Sequence, residues 1–302
     1  MYPRHVFPDT TQVSNQGHLV IGGCDAVDLA NQFGTPLYIF DEDTLRRCCR
    51  AFVGEFQKLH PNPLVAYASK AYINPALARL FAEEGLGLDV VSGGELAVAQ
   101  ALNHPRESFF FHGNNKTPQE LEQALEWGIG RIVVDNFYEL ALLDEVAAKA
   151  DKTQDILLRV SPSIDPHTHV KTTTGVLDSK FGFSINTGDA ARAVRQALDA
   201  PHLNLMGLHF HLGSPIFELE PYKAGMEVVL NFAAGLREEG LELRELSPGG
   251  GFAIAYTREQ HAPSAADYAE AIVSSMVREC HRLGLELPRL VVEPGRPIPG
   301  PA

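Results

Sequence analysis

Short runs of apolar, often β-branched residues recur along the chain, each followed by an amphipathic segment with a polar start. They are LVAYASK (64–70), GLDVVS (87–92), SFFFHG (108–113), RIVVDN (131–136) and DILLRV (155–160), then LMGLHFHL (205–212), ELSPGGG (245–251) and LPRLVVEPG (287–295). Eight near-continuous apolar strands are what a parallel sheet covered by helices on both faces requires. The pattern predicts an α/β fold, a (β/α)8 TIM-type barrel. A doubly wound open sheet is the alternative, because strand count alone does not show closure.

The helices between these runs carry start and stop signals. Asn74-Pro75 places a cap before a proline at the first helical position. Ser92 to Glu95, Thr117 to Glu120 and Asn136 to Glu139 have capping-box spacing, and each cap contributes about 1 kcal/mol. Gly85, Gly128 and Gly240 stand where helices should stop. Ahead of the first strand, Leu45, Phe52, Val53, Phe56 and Leu59 fall on one face of residues 44–59. This predicts a leading helix that supplies the eighth member of the outer ring. PLYIF (36–40) reads as a further strand outside the eight, and residues 1–35 do not fit the repeat. Residues 161–202 form a long insertion rich in Ser, Thr and Pro, with one helix candidate at 188–199. Long loops of this kind tend to be functional.

Composition narrows the partners. The 302 residues carry 25 Lys and Arg against 38 Asp and Glu, a formal net charge of −13. That balance opposes nucleic acid and anionic lipid, which need a dense basic footprint. Hydrophobic residues at 45% and charged residues at 21% are globular proportions. No run approaches the ~18 apolar residues of a spanning helix, and the start lacks a signal-peptide core. Cys24, Cys48, Cys49 and Cys280 show no CxxC spacing, so a reduced, cytoplasmic chain without structural zinc is expected.

In a barrel, chemistry sits at the C-terminal ends of the strands. Those ends hold Lys70, Asp89 with Ser92, His112 with Asn114, Arg159, His209 with His211, Gly249 to Gly251, and Glu293 with Arg296. Ala66, Ala68 and Lys70 share a strand face, so small neighbours leave room over the barrel axis. A lysine desolvated there would have a depressed pKa and could form a Schiff base; a lone lysine is more often a solvated strand cap. Gly249, Gly250 and Gly251 follow the seventh barrel strand, where barrels commonly bind phosphate, and Arg296 could add a charged donor. Glu293 at strand depth needs a cationic partner, either a protonated pyridine nitrogen or Arg296. The His209/His211 pair lacks an evident third ligand, so a stacking or core imidazole is preferred over metal. A lysine, a phosphate cradle, a carboxylate and a flat imidazole together match the needs of pyridoxal 5'-phosphate.

At this point the chain resembles the alanine-racemase-like barrel decarboxylases that use pyridoxal phosphate. The likeness rests on Tyr67-Ala-Ser-Lys70-Ala, Gly87-Leu-Asp-Val-Val-Ser-Gly-Gly-Glu-Leu96 and His112-Gly-Asn-Asn-Lys116. It continues through Ser179-Lys-Phe-Gly182, His209-Phe-His-Leu-Gly-Ser214, Gly249-Gly-Gly251 and Glu293-Pro-Gly-Arg296. The resemblance implies that Lys70 carries the Schiff base, that His211 stacks on the cofactor ring and that Glu293 pairs with its nitrogen. It implies that Ser214, the three glycines, Gly295 and Arg296 hold the phosphate side, with Arg296 also near the substrate carboxylate, and that Asp89 and Arg159 belong to a supporting charged network. Lys116 and Lys180 are rival lysines, both in loops. The His112 and Ser92 motifs favour the diaminopimelate branch, so the expected activity is decarboxylation of meso-2,6-diaminopimelate to L-lysine. The alternatives are an ornithine, arginine or lysine decarboxylase, or a cofactor-binding homologue without turnover. The expected division is a segment at 1–35 that joins a β-domain, a barrel at 36–296, and a link at 297–302 to a C-terminal β-domain. That domain would bring a catalytic cysteine and a homodimer interface, so a chain ending at Ala302 is expected to bind cofactor but turn over poorly.

Overall fold

The computed structural model of the chain describes residues 6–164 and 180–302. Three short strands, β1 (Gln12–Val13), β2 (Leu19–Ile21) and β3 (Cys24–Asp25), form an antiparallel sheet and lead into α1 (Ala26–Phe33). Then α2 (Glu42–Leu59) precedes β4 (Pro63–Ala68), followed by α3 (Pro75–Glu83), β5 (Gly87–Val90), α4 (Gly93–Gln100) and β6 (Phe109–Phe111). The order continues α5 (Pro118–Trp127), β7 (Arg131–Val134), α6 (Phe137–Lys149), β8 (Gln154–Ser161), β9 (Phe183–Ser184) and α7 (Asp189–Asp199). The last elements are β10 (Leu203–His209), α8 (Glu220–Gly235), β11 (Glu245–Gly249), α9 (Ala265–Leu283) and β12 (Arg289–Val292).

All eight apolar runs become parallel strands, and the sheet closes. Neighbours follow β4-β5-β6-β7-β8-β10-β11-β12, with β12 pairing back onto β4 (Leu290 opposite Pro63), which removes the open-sheet alternative. β9 is a short addition beside β8. Seven helices connect successive barrel strands, and α2, packed on β4 and α9, fills the eighth place. On α2, Leu45, Phe52 and Phe56 are buried, together with Cys48 and Cys49, while Leu59 is exposed.

Period-two alternation sorts the strand residues into two cores. Outward positions such as Val65, Tyr67, Leu88, Val90, Leu158, Leu208 and Val292 pack under the helices. Leu64, Ala66, Phe110, Val133, Leu157 and Val291 form a separate cluster inside the barrel. Below it, Arg131 grips Glu245 by two hydrogen bonds of 2.7 and 2.8 Å and reaches Asp155 at 2.9 Å. This network closes the N-terminal end. Above it, the same inward parity delivers Asp89, His112, Arg159, His209, Ser247 and Glu293.

The caps form as the spacing predicts, with one refinement. Thr117 and Glu120 make a complete capping box. Ser92 and Asn136 cap through their own side chains, but Glu95 and Glu139 accept from the amides of Val91 and Asp135, one residue earlier. The insertion folds its expected helix as α7, behind Gly188. PLYIF (36–40) is not a strand. Among the described residues no strand pairs with it, and Tyr38, Ile39 and Phe40 instead line the mouth of a cavity, with Phe40 stacked 5.0 Å from Tyr72.

Candidate active site

The C-terminal ends of the barrel strands open into a cavity of about 960 Å³. Its wall includes Lys70, Asp89, His211, Ser214, Gly250, Gly251, Glu293, Gly295 and Arg296, which come from five separate segments of the sequence. Nine of the eleven residues predicted from sequence therefore meet at one place. The other two, Arg159 and Gly249, lie behind the wall.

Glu293 follows β12 at the base of the cavity and is buried. Ser247 Oγ donates to its Oε1 at 2.7 Å, and His209 Nε2 lies 3.3 Å from its Oε2. His112 Nε2 stands 3.4 Å from Oε1. Burial opposes ionisation of Glu293, but His112, His209 and the hydroxyl of Ser247 outweigh it and hold this carboxyl well below its ordinary range. Asp89, equally buried at the end of β5, is pushed the other way by burial and by the charge of Glu293. Its Oδ1 has no hydrogen-bond partner among the described residues. Burial and charge thus shift the two carboxyls of the wall in opposite directions.

Lys70 sits in a short 3-10 turn, Ser69–Ala71, directly after β4. Its side chain is open to the cavity, because Ala68 and Gly295 beside it have no bulk to cover it. No hydrogen bond or ion pair holds its amine among the described residues, so the group is available. The rival lysines are not. Lys116 is buried with its amine donating to Gly113 O, Val133 O and Glu139 Oε1 at 2.8, 2.8 and 2.6 Å. Lys180 is exposed beside Phe181, outside the cavity. Ser179, part of the same motif, lies outside the described residues.

The glycine run provides close backbone approach. A Cβ on Gly250 would lie 2.1 Å from Glu293 O, and one on Gly251 would lie 2.2 Å from Gly213 O with φ at +91°. Gly249 serves a different purpose from the one expected. It is not in the wall; a Cβ there would come within 2.7 Å of His211 Nδ1, so its bareness lets the imidazole lie against the strand. Gly250 N donates to that Nδ1 at 3.3 Å, which requires a neutral His211 protonated on Nε2. Burial and the nearby charges of Lys70 and Arg159 take its pKa down to about 3. Arg159 bonds Asp135 at 3.3 Å and stacks 4.7 Å from Phe181, so it supports the wall by charge and does not form it.

At the rim, Arg296 donates to Ser214 Oγ at 3.4 Å and to the hydroxyl of Tyr256. Tyr256 and Tyr72 both line the cavity and were not foreseen. Their segments lie outside the strands, where periodicity carries no signal. The roles of Ser247 and His112 beside Glu293 were also missed, although inward parity within ELSPGGG and SFFFHG could have flagged them.

These residues fit pyridoxal phosphate. An unpartnered amine, an ionised carboxylate beside an unsatisfied Asp89 oxygen, a flat neutral imidazole and a bare glycine turn with an arginine all face one volume. A phosphorylated heteroaromatic aldehyde needs each of them.

Comparison with known proteins agrees. Residues 43–300 match the family described as pyridoxal-dependent decarboxylase, pyridoxal binding domain. The diaminopimelate decarboxylase of Bacillus subtilis is 42% identical over 97% of this chain and 67% of its own length. The chain therefore spans about two thirds of that relative. The crystal structure of diaminopimelate decarboxylase from Methanocaldococcus jannaschii in complex with L-lysine superposes with a TM-score of 0.89 at 36% identity, covering 96% of this chain and 67% of that one. A lysine/ornithine decarboxylase from Vibrio vulnificus shares the fold at 24% identity and a TM-score of 0.74, covering 95% of this chain and 69% of that one. With its barrel, its free strand-end lysine and its glycine turn at one cavity, the chain belongs to the pyridoxal-dependent decarboxylases.

Proposed function

We propose that the chain uses pyridoxal phosphate to remove CO2 from meso-2,6-diaminopimelate, yielding L-lysine. The observation that carries the reading is the convergence of Lys70, Glu293, His211 and the Gly250-Gly251 turn on one cavity. The choice of substrate is supported by relatives named diaminopimelate decarboxylase at about 40% identity, against 24% for the lysine/ornithine enzyme.

Bound pyridoxal phosphate supplies an electron-deficient ring that accepts the electron pair left when CO2 departs. The chain does the rest. Lys70 would offer the amine that holds the cofactor. Glu293 keeps a proton on the ring nitrogen through its negative charge. His211 gives the ring a flat, uncharged floor. Ser214, Gly250, Gly251 and Arg296 bind the phosphate, and Arg296 also faces the substrate carboxylate. In this reading residues 36–296 are the catalytic barrel, residues 1–35 join a β-domain, and 297–302 link to its remainder. The working form is a cytoplasmic homodimer.

The test is CO2 release by purified protein loaded with pyridoxal phosphate, with diaminopimelate, ornithine, arginine and lysine offered separately. Release from diaminopimelate alone is expected. Turnover of ornithine without diaminopimelate would move the chain to the polyamine branch. Cofactor uptake with no release from any substrate would favour a binding homologue.

A further inference from the structure

At the base of the cavity, three strand ends bring ligand atoms together: His112 follows β6, His209 ends β10 and Glu293 follows β12. All three side chains are buried, and one nitrogen or oxygen from each lies within 4.8 Å of the other two. Among the described residues no other three histidine, cysteine or acidic side chains meet in this way. His112 Nε2 stands 3.4 Å from Glu293 Oε1, and His209 Nε2 stands 3.3 Å from Oε2. An N–H···O hydrogen bond usually spans about 2.7–3.2 Å. Ligands at about 2.0–2.2 Å around a tetrahedral zinc-sized ion lie about 3.3–3.6 Å from one another. Both pairs stand at the second spacing. Two buried atoms there also lack partners. His112 Nε2 makes no hydrogen bond, and neither does Asp89 Oδ1, which lies 3.8 Å from it.

We propose that, before the cofactor arrives, His112, His209 and Glu293 bind a divalent ion of the zinc class, with Asp89 as a fourth ligand. Imidazole nitrogens select Zn2+, Co2+ or Ni2+ over Mg2+ and Ca2+, which prefer oxygen shells. The ion gives two neighbouring buried carboxylates a shared counter-charge where little water screens them. Ser247 Oγ, 2.7 Å from Glu293 Oε1, already orients that ligand from outside. His209 Nδ1 has no acceptor, so the site lacks the full support of a structural zinc centre and holds its ion reversibly. The two histidines of β10 do not act as a pair, because His211 faces the cavity and the ligands beside His209 come from other strands. An ion here takes up the Glu293 charge that the proposed function gives to the ring nitrogen. Ion and pyridoxal phosphate therefore weaken each other's binding, by the same factor in both directions. Only this antagonism rests on the proposed cofactor reading; ion binding does not.

Cobalt is the probe, because four-coordinate Co2+ absorbs visible light. Adding Co2+ to cofactor-free protein should give those bands with one-to-one stoichiometry, and Zn2+ should displace them. His112→Phe and His209→Phe each remove one ligand and keep a flat ring in its place. Each should weaken Co2+ binding about tenfold or more, since even the outer partners of a metal ligand are worth that much. If neither variant folds, X-ray absorption of the zinc-loaded wild type decides, with two imidazoles and carboxylate oxygen expected at about 2.0–2.2 Å. Absence of one-to-one bands, full affinity in both variants, or a shell without two imidazoles overturns the site. Pyridoxal phosphate titrated into zinc-saturated protein should bind about tenfold more weakly than into metal-free protein. Equal cofactor affinity in the two overturns the antagonism. A chain that takes up the ion but never the cofactor upholds the ion site and counts against the proposed function, so the two failures are distinct.

Discussion

The ammonium of Lys116 lies 2.6 Å from a carboxylate oxygen of Glu139, and both groups are buried between β6 and α6. Two carbonyl oxygens complete its set of acceptors, so each of its three protons is met. Removing one partner strands a buried charge. Glu139→Gln should therefore lower stability by about 3–5 kcal/mol, whereas the double replacement Lys116→Met with Glu139→Leu should cost less. Chemical denaturation checks both, and a single-variant loss no larger than that of the double would contradict this account.

Lys70 has no such commitments. Borohydride reduction of protein incubated with pyridoxal phosphate should fix the cofactor on the peptide containing Lys70. Peptide mapping that finds the label on Lys116 or Lys180 would reassign the site.

The turn at Gly251 tolerates no side chain. Gly251→Ala combines a left-handed backbone with a Cβ 2.2 Å from the carbonyl of Gly213, so the backbone must move. Cofactor affinity should fall about tenfold or more while far-UV circular dichroism stays native. Unchanged affinity in an absorbance titration would remove the turn from the phosphate site.

His211 sets an acid limit on stability. Its folded pKa of about 3 lies below that of a solvated imidazole, so between those values the unfolded chain binds the extra proton. Stability from this group is complete above about pH 6.5 and falls as the pH drops toward 3. The slope is at most about 1.4 kcal/mol per pH unit, less because one side of the ring faces the open cavity. Thermal melts of wild type and His211→Phe from neutral to acid pH should converge as the pH falls. Parallel curves would show that the imidazole is solvated.

The barrel was legible because parallel strands buried on both faces leave unbroken apolar runs, and because caps such as Thr117 mark helix starts locally. Position at the C-terminal strand ends then pointed to Asp89, His209 and Glu293. Two kinds of feature escaped. PLYIF (36–40) has strand composition, but a strand needs a partner backbone, which composition does not reveal. The grouping of His112, His209, Ser247 and Glu293 joins four strand ends distant in sequence, and the purpose of Gly249 depends on which ring lies against it. Spacing along one strand carries neither.

The pairing of β12 with β4 also governs when the site can exist during synthesis. Leu290 meets Pro63, so the ring closes only by a contact between segments far apart in the chain. Contacts of that range are slow to form and leave partly folded chains exposed. A nascent polypeptide still lacking β12 has Lys70 but neither Glu293 nor Arg296. Capture of pyridoxal phosphate is therefore a late event in biogenesis, and until then the unpaired edges of β4 and β11 are surfaces for chaperones to shield.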